Sequence, residues 1–327
     1  MEIVLIVLGC AALAQSVPIG DGNSTEAEAK DLWSQYSIDL SFLGPGIFGV
    51  PNENIGKVVE NLANFRGNPE EQGSYLEGDL LIPLSRARNG LVAKATRWPN
   101  GVVPYEIQGS FSASDMSMIE KAIKMFHAHT CIRFVPHTNE ADYIKLVSGR
   151  SGCWSSVGRI GGPQDVNLQS PGCLNQVGVP IHELLHVLGF LHEQNRSDRD
   201  KSVYIKWQNI KPGTAENFHK ASAGTTNNFG VHYDYNSVLH YSAYAFSVNG
   251  QPTIVAKTRT SANMGQRRGF SLGDLKKVNA MYGCDTSQKG PLVRPTRKSK
   301  PQSKPQDQPQ GNFLENVVSG ISNFFKP

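Results

Sequence analysis

The sequence predicts an α+β domain over residues 89–284, set between an acidic N-terminal segment and a Pro/Gln/Lys-rich tail. Three observations carry that expectation. Short apolar or alternating stretches of strand length recur between Gly101 and Leu168, cap-and-acid signals for helix starts stand at Ser112 and Ser271, and an apolar helical stretch from Pro180 to Leu188 stops at a glycine. Strands joined to a few helices make a mixed α+β domain. With 39% hydrophobic and 18% charged residues among 327, the chain can bury a core, which excludes a wholly disordered, collagenous or coiled-coil protein.

The elements follow in chain order. Residues 3–14 are a short apolar run ending in Ala12-Leu13-Ala14, the pattern of a signal-peptide core with a small-x-small cleavage site, although the preceding Met1-Glu2 is not basic. Residues 1–14 are therefore expected to be removed, and the protein to be secreted and extracellular. No later apolar run approaches the length that crosses a bilayer, so no transmembrane segment is expected beyond it. Gly101–Ile107 is an early strand. Ser112-Ala-Ser-Asp115 is a capping box, opening a helix whose inward face is Ile119, Ile123 and Phe126. Thr130–Val135 and Tyr143–Val147 are strands, with shorter ones around Val157 and over Val166–Leu168. The helix from Pro180 has its proline in the first turn, where the missing N–H costs nothing, and Gly189 at its C-terminal end. The helix after Ser271 should turn Leu272, Leu275, Val278 and Met281 inward.

Charge is unevenly spread. Residues 15–88 carry a net −6, residues 89–284 a net +7 and the last 43 residues a net +4. An acidic leader ahead of a basic domain points to intramolecular complementarity. Nucleic acid is not an expected partner, since basic clusters interleaved with aromatics are missing from the domain. Residues 285–310, rich in Pro, Gln, Ser, Lys and Arg, form a disordered basic linker. Residues 311–327 place Phe313, Leu314, Val317, Val318, Ile321, Phe324 and Phe325 at helical spacing, a short amphipathic helix that could meet a partner, a membrane surface or the parent domain. The tail's partner is unknown.

Of five cysteines, Cys10 leaves with the signal, and Cys131, Cys153, Cys173 and Cys284 make an even set for an oxidising compartment. Three pairings are open. Closing the short Cys153–Cys173 loop would leave Cys131 for Cys284. No cysteines remain after Cys284 to staple a further module. Asn23 and Asn195 head Asn-x-Ser/Thr sequons and are candidate glycosylation sites.

The stretch that carries chemistry is His182-Glu183-Leu184-Leu185-His186-Val187-Leu188-Gly189-Phe190-Leu191-His192. On a helix, His182 and His186 lie one turn apart on one face. Gly189 permits a sharp exit through dihedrals other residues avoid, which lets the chain return a third imidazole, His192, to the same point. Three neutral imidazole nitrogens and a water suit tetrahedral catalytic zinc, one ion per chain. Glu183, beside the first ligand, is placed to take the proton from that water.

This eleven-residue pattern resembles that of the metzincins. The continuation Phe190–Asp200 is similar to the astacin family in particular, as are Cys131-Ile-Arg-Phe-Val-Pro136, Gly152-Cys-Trp-Ser-Ser-Val-Gly-Arg159 and Ser237-Val-Leu-His-Tyr-Ser242. The resemblance covers essentially all of residues 89–284. It implies a metzincin-type two-lobed catalytic domain, with a twisted mixed sheet and a zinc-binding active-site helix, that acts as a secreted zinc metalloendopeptidase. It also implies disulfides Cys131–Cys284 and Cys153–Cys173. Tyr241 would be a fifth ligand at rest and an oxyanion donor during the reaction, and Glu193 would contact the buried mature N-terminus. At the position of the family's Met-turn methionine this chain has Leu239, an apolar residue of similar volume whose substitution costs below about 1.5 kcal/mol.

The same resemblance makes residues 15–88 a propeptide. Tyr75-Leu76-Glu77-Gly78-Asp79 is similar to the family's Phe-x-Gly-Asp motif without its Phe, and Asp79 would be the inhibitory zinc ligand. Processing is expected between Arg88 and Asn89, after Arg86-Ala87-Arg88, by an activating trypsin-like protease. Glu183 would act as general base and then deliver its proton to the leaving amine. Protein or peptide substrates would lie extended against an edge strand near Cys153–Arg159, and a basic domain favours acidic segments. A zinc-containing secreted binding protein without catalysis, acting through its cleft or its tail, is the alternative. Cleavage of a peptide bond after removal of residues 15–88 separates the two.

Overall fold

In the computed structural model, which describes residues 37–61, 67–84, 94–222, 224 and 226–285, the segment upstream of the predicted domain contributes strands β1 (Ser37–Asp39) and β2 (Phe48–Gly49), helix α1 (Glu53–Glu60) and strand β3 (Ile82–Pro83). The domain follows with β4 (Lys94–Thr96), β5 (Val102–Ile107), α2 (Ala113–His129), β6 (Arg133–Pro136), β7 (Tyr143–Val147), β8 (Cys153–Ser155) and β9 (Pro163–Leu168). Helix α3 (Gly178–Val187), strands β10 (Val203–Ile205) and β11 (Ile254–Ala256), and helix α4 (Leu272–Met281) complete it. The expected signal peptide, Asn23, the Arg88–Asn89 bond, the expected linker and the C-terminal amphipathic segment lie outside the described residues.

The five-stranded sheet has the order β6-β5-β7-β9-β8. Its first four strands pair in parallel, and β8 runs antiparallel at one edge. A parallel pair needs a crossover, and α2 supplies the one between β5 and β6. It starts because the Ser112 side chain accepts from the Asp115 N–H while Asp115 reaches back to the Ser112 N–H. Its Ile119, Ile123 and Phe126 are buried, and Phe126 meets Phe134 and Phe270 edge-on at 5.1 and 4.8 Å. Strand β7 alternates as expected, with Ile144 and Leu146 buried. Disulfides join Cys131 to Cys284 and Cys153 to Cys173, the first tying the end of α2 to the end of α4 and the second tying edge strand β8 to the turn before α3.

The structure shifts four sequence expectations. Helix α3 begins at Gly178, two residues ahead of Pro180 in the sequence. Its first turn has no side-chain cap; the Gly178 N–H donates instead to the Arg267 carbonyl at 2.9 Å, so close that an added Cβ would lie 2.3 Å from that backbone. The strand around Val157 ends at Ser155, because the chain turns through Gly158 at φ +68°. Leu272 is 55% exposed where Leu275, Val278 and Met281 are buried: it is the first helical residue and lies past the rim of the core. Asn195 is 1% exposed, and its side-chain nitrogen donates to the Asn217 carbonyl at 3.0 Å, so the folded chain offers that sequon no room for a glycan.

The acidic upstream segment packs on the domain. β1 pairs with β4, β2 with β3, and Leu40, Ile47, Leu80 and Ile82 form one apolar cluster with Ala95, Val157 and Ile160. Its charge is matched where it is buried. Glu70 and Arg267 form a completely buried ion pair, and the Glu71 carboxylate accepts from the Ser242 N–H at 2.6 Å and hydroxyl at 2.7 Å.

Candidate active site and metal centre

All ten residues of α3 are buried, so its two histidines point into protein and not into solvent. His182 Nδ1 donates to the Val238 carbonyl at 2.8 Å, and His186 Nδ1 to the Phe190 carbonyl at 2.7 Å. Those bonds leave each Nε2 as a lone pair facing inward. The second depends on the helix exit: Gly189 takes φ +106°, its N–H closes on the His186 carbonyl at 2.8 Å, and Phe190 is thereby turned back over the helix end. The same turn delivers His192, whose Nδ1 meets the Glu77 carboxylate at 2.8 Å.

The three Nε2 atoms converge on Asp79. Its Oδ2 is 2.9 Å from His182 Nε2 and 3.3 Å from His192 Nε2, its Oδ1 is 3.6 Å from His186 Nε2, and the four ligand atoms lie within 4.8 Å of one another. Four donors at about 2.0–2.1 Å from a tetrahedral zinc stand roughly 3.3 Å apart, which these spacings bracket. His192 Nε2 and Asp79 Oδ1 are buried with no hydrogen-bond partner, as atoms reserved for an ion are. The surroundings call for positive charge. Burial by itself would lower the His192 ring, yet the Asp79 and Glu77 carboxylates outweigh it and raise the ring to about 10. A divalent cation among these ligands answers the same demand. The residues fit zinc, with His182, His186 and His192 as its protein ligands.

Glu183, the next residue after the first ligand, is fully buried. Its Oε2 accepts from the Ser155 hydroxyl at 2.8 Å, and its Oε1 has no partner. Burial, and after it the charge of Asp79, raises its carboxyl well above the ordinary value, the direction that brings a carboxylate towards the working range of a general base.

Tyr241 is buried with its ring 4.7 Å from that of His192, and its phenol donates to the Glu77 carbonyl at 2.5 Å. In this structure the hydroxyl is thus bonded to the upstream segment. Leu239, 2% exposed, packs in the main core, and its carbonyl accepts from the Glu193 N–H at 3.1 Å. The Glu193 carboxylate is 2% exposed and pairs with Lys277 and, at 3.0 Å, with Arg196, while it accepts from the Asp234 N–H at 2.9 Å. Cationic partners from its own domain therefore already hold the group expected to receive a new N-terminus.

Edge strand β8, within the stretch expected to bind substrate, is taken by residues 79–81. The Ser155 N–H donates to the Asp79 carbonyl and the Leu81 N–H to the Ser155 carbonyl, both at 3.0 Å, in parallel pairing. Leu76 stands where the motif has its Phe, and the preceding Tyr75 packs its ring edge-on against Trp154 at 6.1 Å. Sequence reasoning missed Glu77, Ser155 and the Glu70–Arg267 pair. Their contacts span 115, 28 and 197 residues of chain, and no local pattern registers them. The only signal was the acid doublet Glu70-Glu71 within a negative leader.

Comparison with known proteins agrees with this geometry. Residues 90–283 match the family model described as Astacin (Peptidase family M12A). The chain is 41% identical over 229 residues to Zinc metalloproteinase nas-7 of Caenorhabditis elegans, covering 69% of this chain and 59% of that protein. It is 42% identical over 215 residues to High choriolytic enzyme 1 of Oryzias latipes, covering 64% of this chain and 78% of that one. The solved structure of that fish protein, a hatching enzyme zinc-protease, matches at 43% identity and a TM-score of 0.53, over 58% of this chain and 94% of its own. The chain spans 59% of nas-7 and 43% of the related Zinc metalloproteinase nas-15.

Proposed function

From the premise that this chain belongs to the astacin family, we propose that it is a secreted zinc-dependent endopeptidase held latent by its own residues 15–88. The observation that carries the proposal is the seat of Asp79, whose carboxylate lies among three converging imidazoles and beside Glu183. A carboxylate there fills the position a nucleophilic water needs. Two disulfides support an oxidising, extracytoplasmic compartment.

Zinc, when bound by His182, His186 and His192, supplies Lewis acidity that polarises a scissile carbonyl and lowers the pKa of a water in the site. The remaining steps belong to side chains. Glu183, steadied by Ser155, accepts the proton of the attacking water and returns it to the leaving amine. Tyr241, once its hydroxyl is free of the Glu77 carbonyl, donates to the oxyanion that develops on the substrate. Strand β8, once free of residues 79–81, pairs with an extended substrate backbone. Departure of Glu70 would leave the Arg267 guanidinium without its carboxylate partner, and an acidic side chain of a substrate would answer that charge. A trypsin-like cut at Arg88–Asn89 would release these contacts together.

The test is a peptidase assay on trypsin-treated protein beside its Glu183→Ala variant, with zinc counted in both. The expected outcome is about one zinc in each and activity lowered by roughly 10²–10⁴ in the variant. Full zinc with no cleavage by either, across a broad peptide library, would instead favour the binding-protein alternative.

A further inference from the structure

We infer that Glu77 is a positioning residue for the third metal ligand, so that the latent chain holds its ion more tightly than the activated one; the inference rests on the zinc and latency assignments above. The three ligands differ in who supports them. His182 and His186 donate their outer N–H groups to the carbonyls of Val238 and Phe190, both within the catalytic domain. His192 donates its own to the carboxylate of Glu77, in the upstream segment. Removal of that segment therefore leaves one ligand of three without the partner that fixes its ring and tautomer. A carboxylate on the outer nitrogen also makes an imidazole a stronger donor than a carbonyl does.

The backbone is shaped for this contact. Glu77 takes φ +49° and Gly78 φ +85°. The turn is closed by the Gly78 N–H on the Tyr75 carbonyl and the Leu80 N–H on the Leu76 carbonyl, each at 2.9 Å. It aims the carboxylates at 77 and 79 into one pocket, where Glu77 is 4% and Asp79 0% exposed. A left-handed conformation is unfavourable for a residue with a Cβ, and glycine or asparagine would lessen the strain. The side chain present is instead the one that meets His192. The Glu77 carbonyl at the same time accepts from Tyr241 at 2.5 Å, so one residue holds both the third ligand and the catalytic phenol.

The experiment follows zinc loss from the full-length, uncleaved protein into excess chelator, for wild type, Glu77→Ala, Glu77→Gln and Asp79→Asn. Glu77→Ala should lose zinc about 10–100-fold faster than wild type, the range found when partners of ligating histidines are removed. Glu77→Gln, isosteric and still an acceptor, should fall between them. The cobalt-substituted Glu77→Ala protein should also show an altered visible spectrum, because the geometry at His192 changes while the ligand set does not. Wild-type rates and spectra in both Glu77 variants, with faster loss from Asp79→Asn, would overturn the role of Glu77 and leave the zinc assignment standing. A wild-type protein that takes up no stoichiometric zinc would overturn both.

Discussion

Replacing Glu70 by alanine should weaken the grip of the leader on the cleft far more than its distance from the metal suggests. The Glu70–Arg267 pair is 0% exposed on both sides. Arg267 also donates to the carbonyls of His240 at 3.2 Å and Gln266 at 2.9 Å, but its nearest other carboxylate, on Glu71, is 3.9 Å away. Docking a leader without Glu70 would bury the guanidinium with neutral carbonyls at hydrogen-bond distance and only the longer 3.9 Å contact to Glu71 to match its charge. Removing one member of a buried pair costs about 3–5 kcal/mol, since the surviving charge stays desolvated, which is roughly 10²–10³·⁵ in an inhibition constant. The assay adds residues 15–88 in trans to activated enzyme and measures inhibition of peptide hydrolysis. Glu60→Ala is the control. Its bond to Arg150 is 2.8 Å long, but the two side chains are 38% and 67% exposed, and such pairs contribute about 0–1 kcal/mol. The expected order is thus a large loss for Glu70→Ala and less than about fivefold for Glu60→Ala. Equal potency of the Glu70→Ala and wild-type leaders would refute the assignment of Arg267 as the buried charge that the leader neutralises.

Further outcomes follow from the same contacts. Tyr241→Phe, measured on activated enzyme, should lower kcat by about 10²–10³, the loss typical for one oxyanion donor, with KM little changed; a KM effect alone would mark the tyrosine as part of the binding wall. Ser112→Ala should destabilise the domain by about 1 kcal/mol in denaturant melts, because it removes the acceptor for the first-turn N–H of α2. Asp115 adds a pH dependence. Burial would raise its carboxyl, but hydrogen bonds from Ser170 and Ser112 win and hold it below its ordinary value. A depressed folded-state pKa stabilises above the unfolded value of about 3.9 and is lost as pH falls through the lower folded one. Asp115→Asn should therefore lower stability at neutral pH and flatten the acid limb of the stability profile.

Much of this protein was legible because its chemistry is local. The spacing of His182, Glu183, His186, Gly189 and His192 specifies three converging imidazoles and an adjacent carboxylate within one helix and its exit, since helical geometry ties sequence offset to direction in space. The capping boxes at Ser112 and Ser271 are just as local, and the structure forms both. The tertiary structure decided matters of contact between distant segments. It placed an internal Lys277 on Glu193, turned Tyr241 onto the Glu77 carbonyl, buried the Asn195 sequon, and brought Glu70 to Arg267. Hydrogen bonds and ion pairs of this kind act over a few ångströms of space and are indifferent to how much chain lies between the partners. Periodicity and spacing record only neighbours along the chain, so the sequence alone determined the three histidines and the adjacent glutamate, while the fold determined what holds them and what keeps them covered.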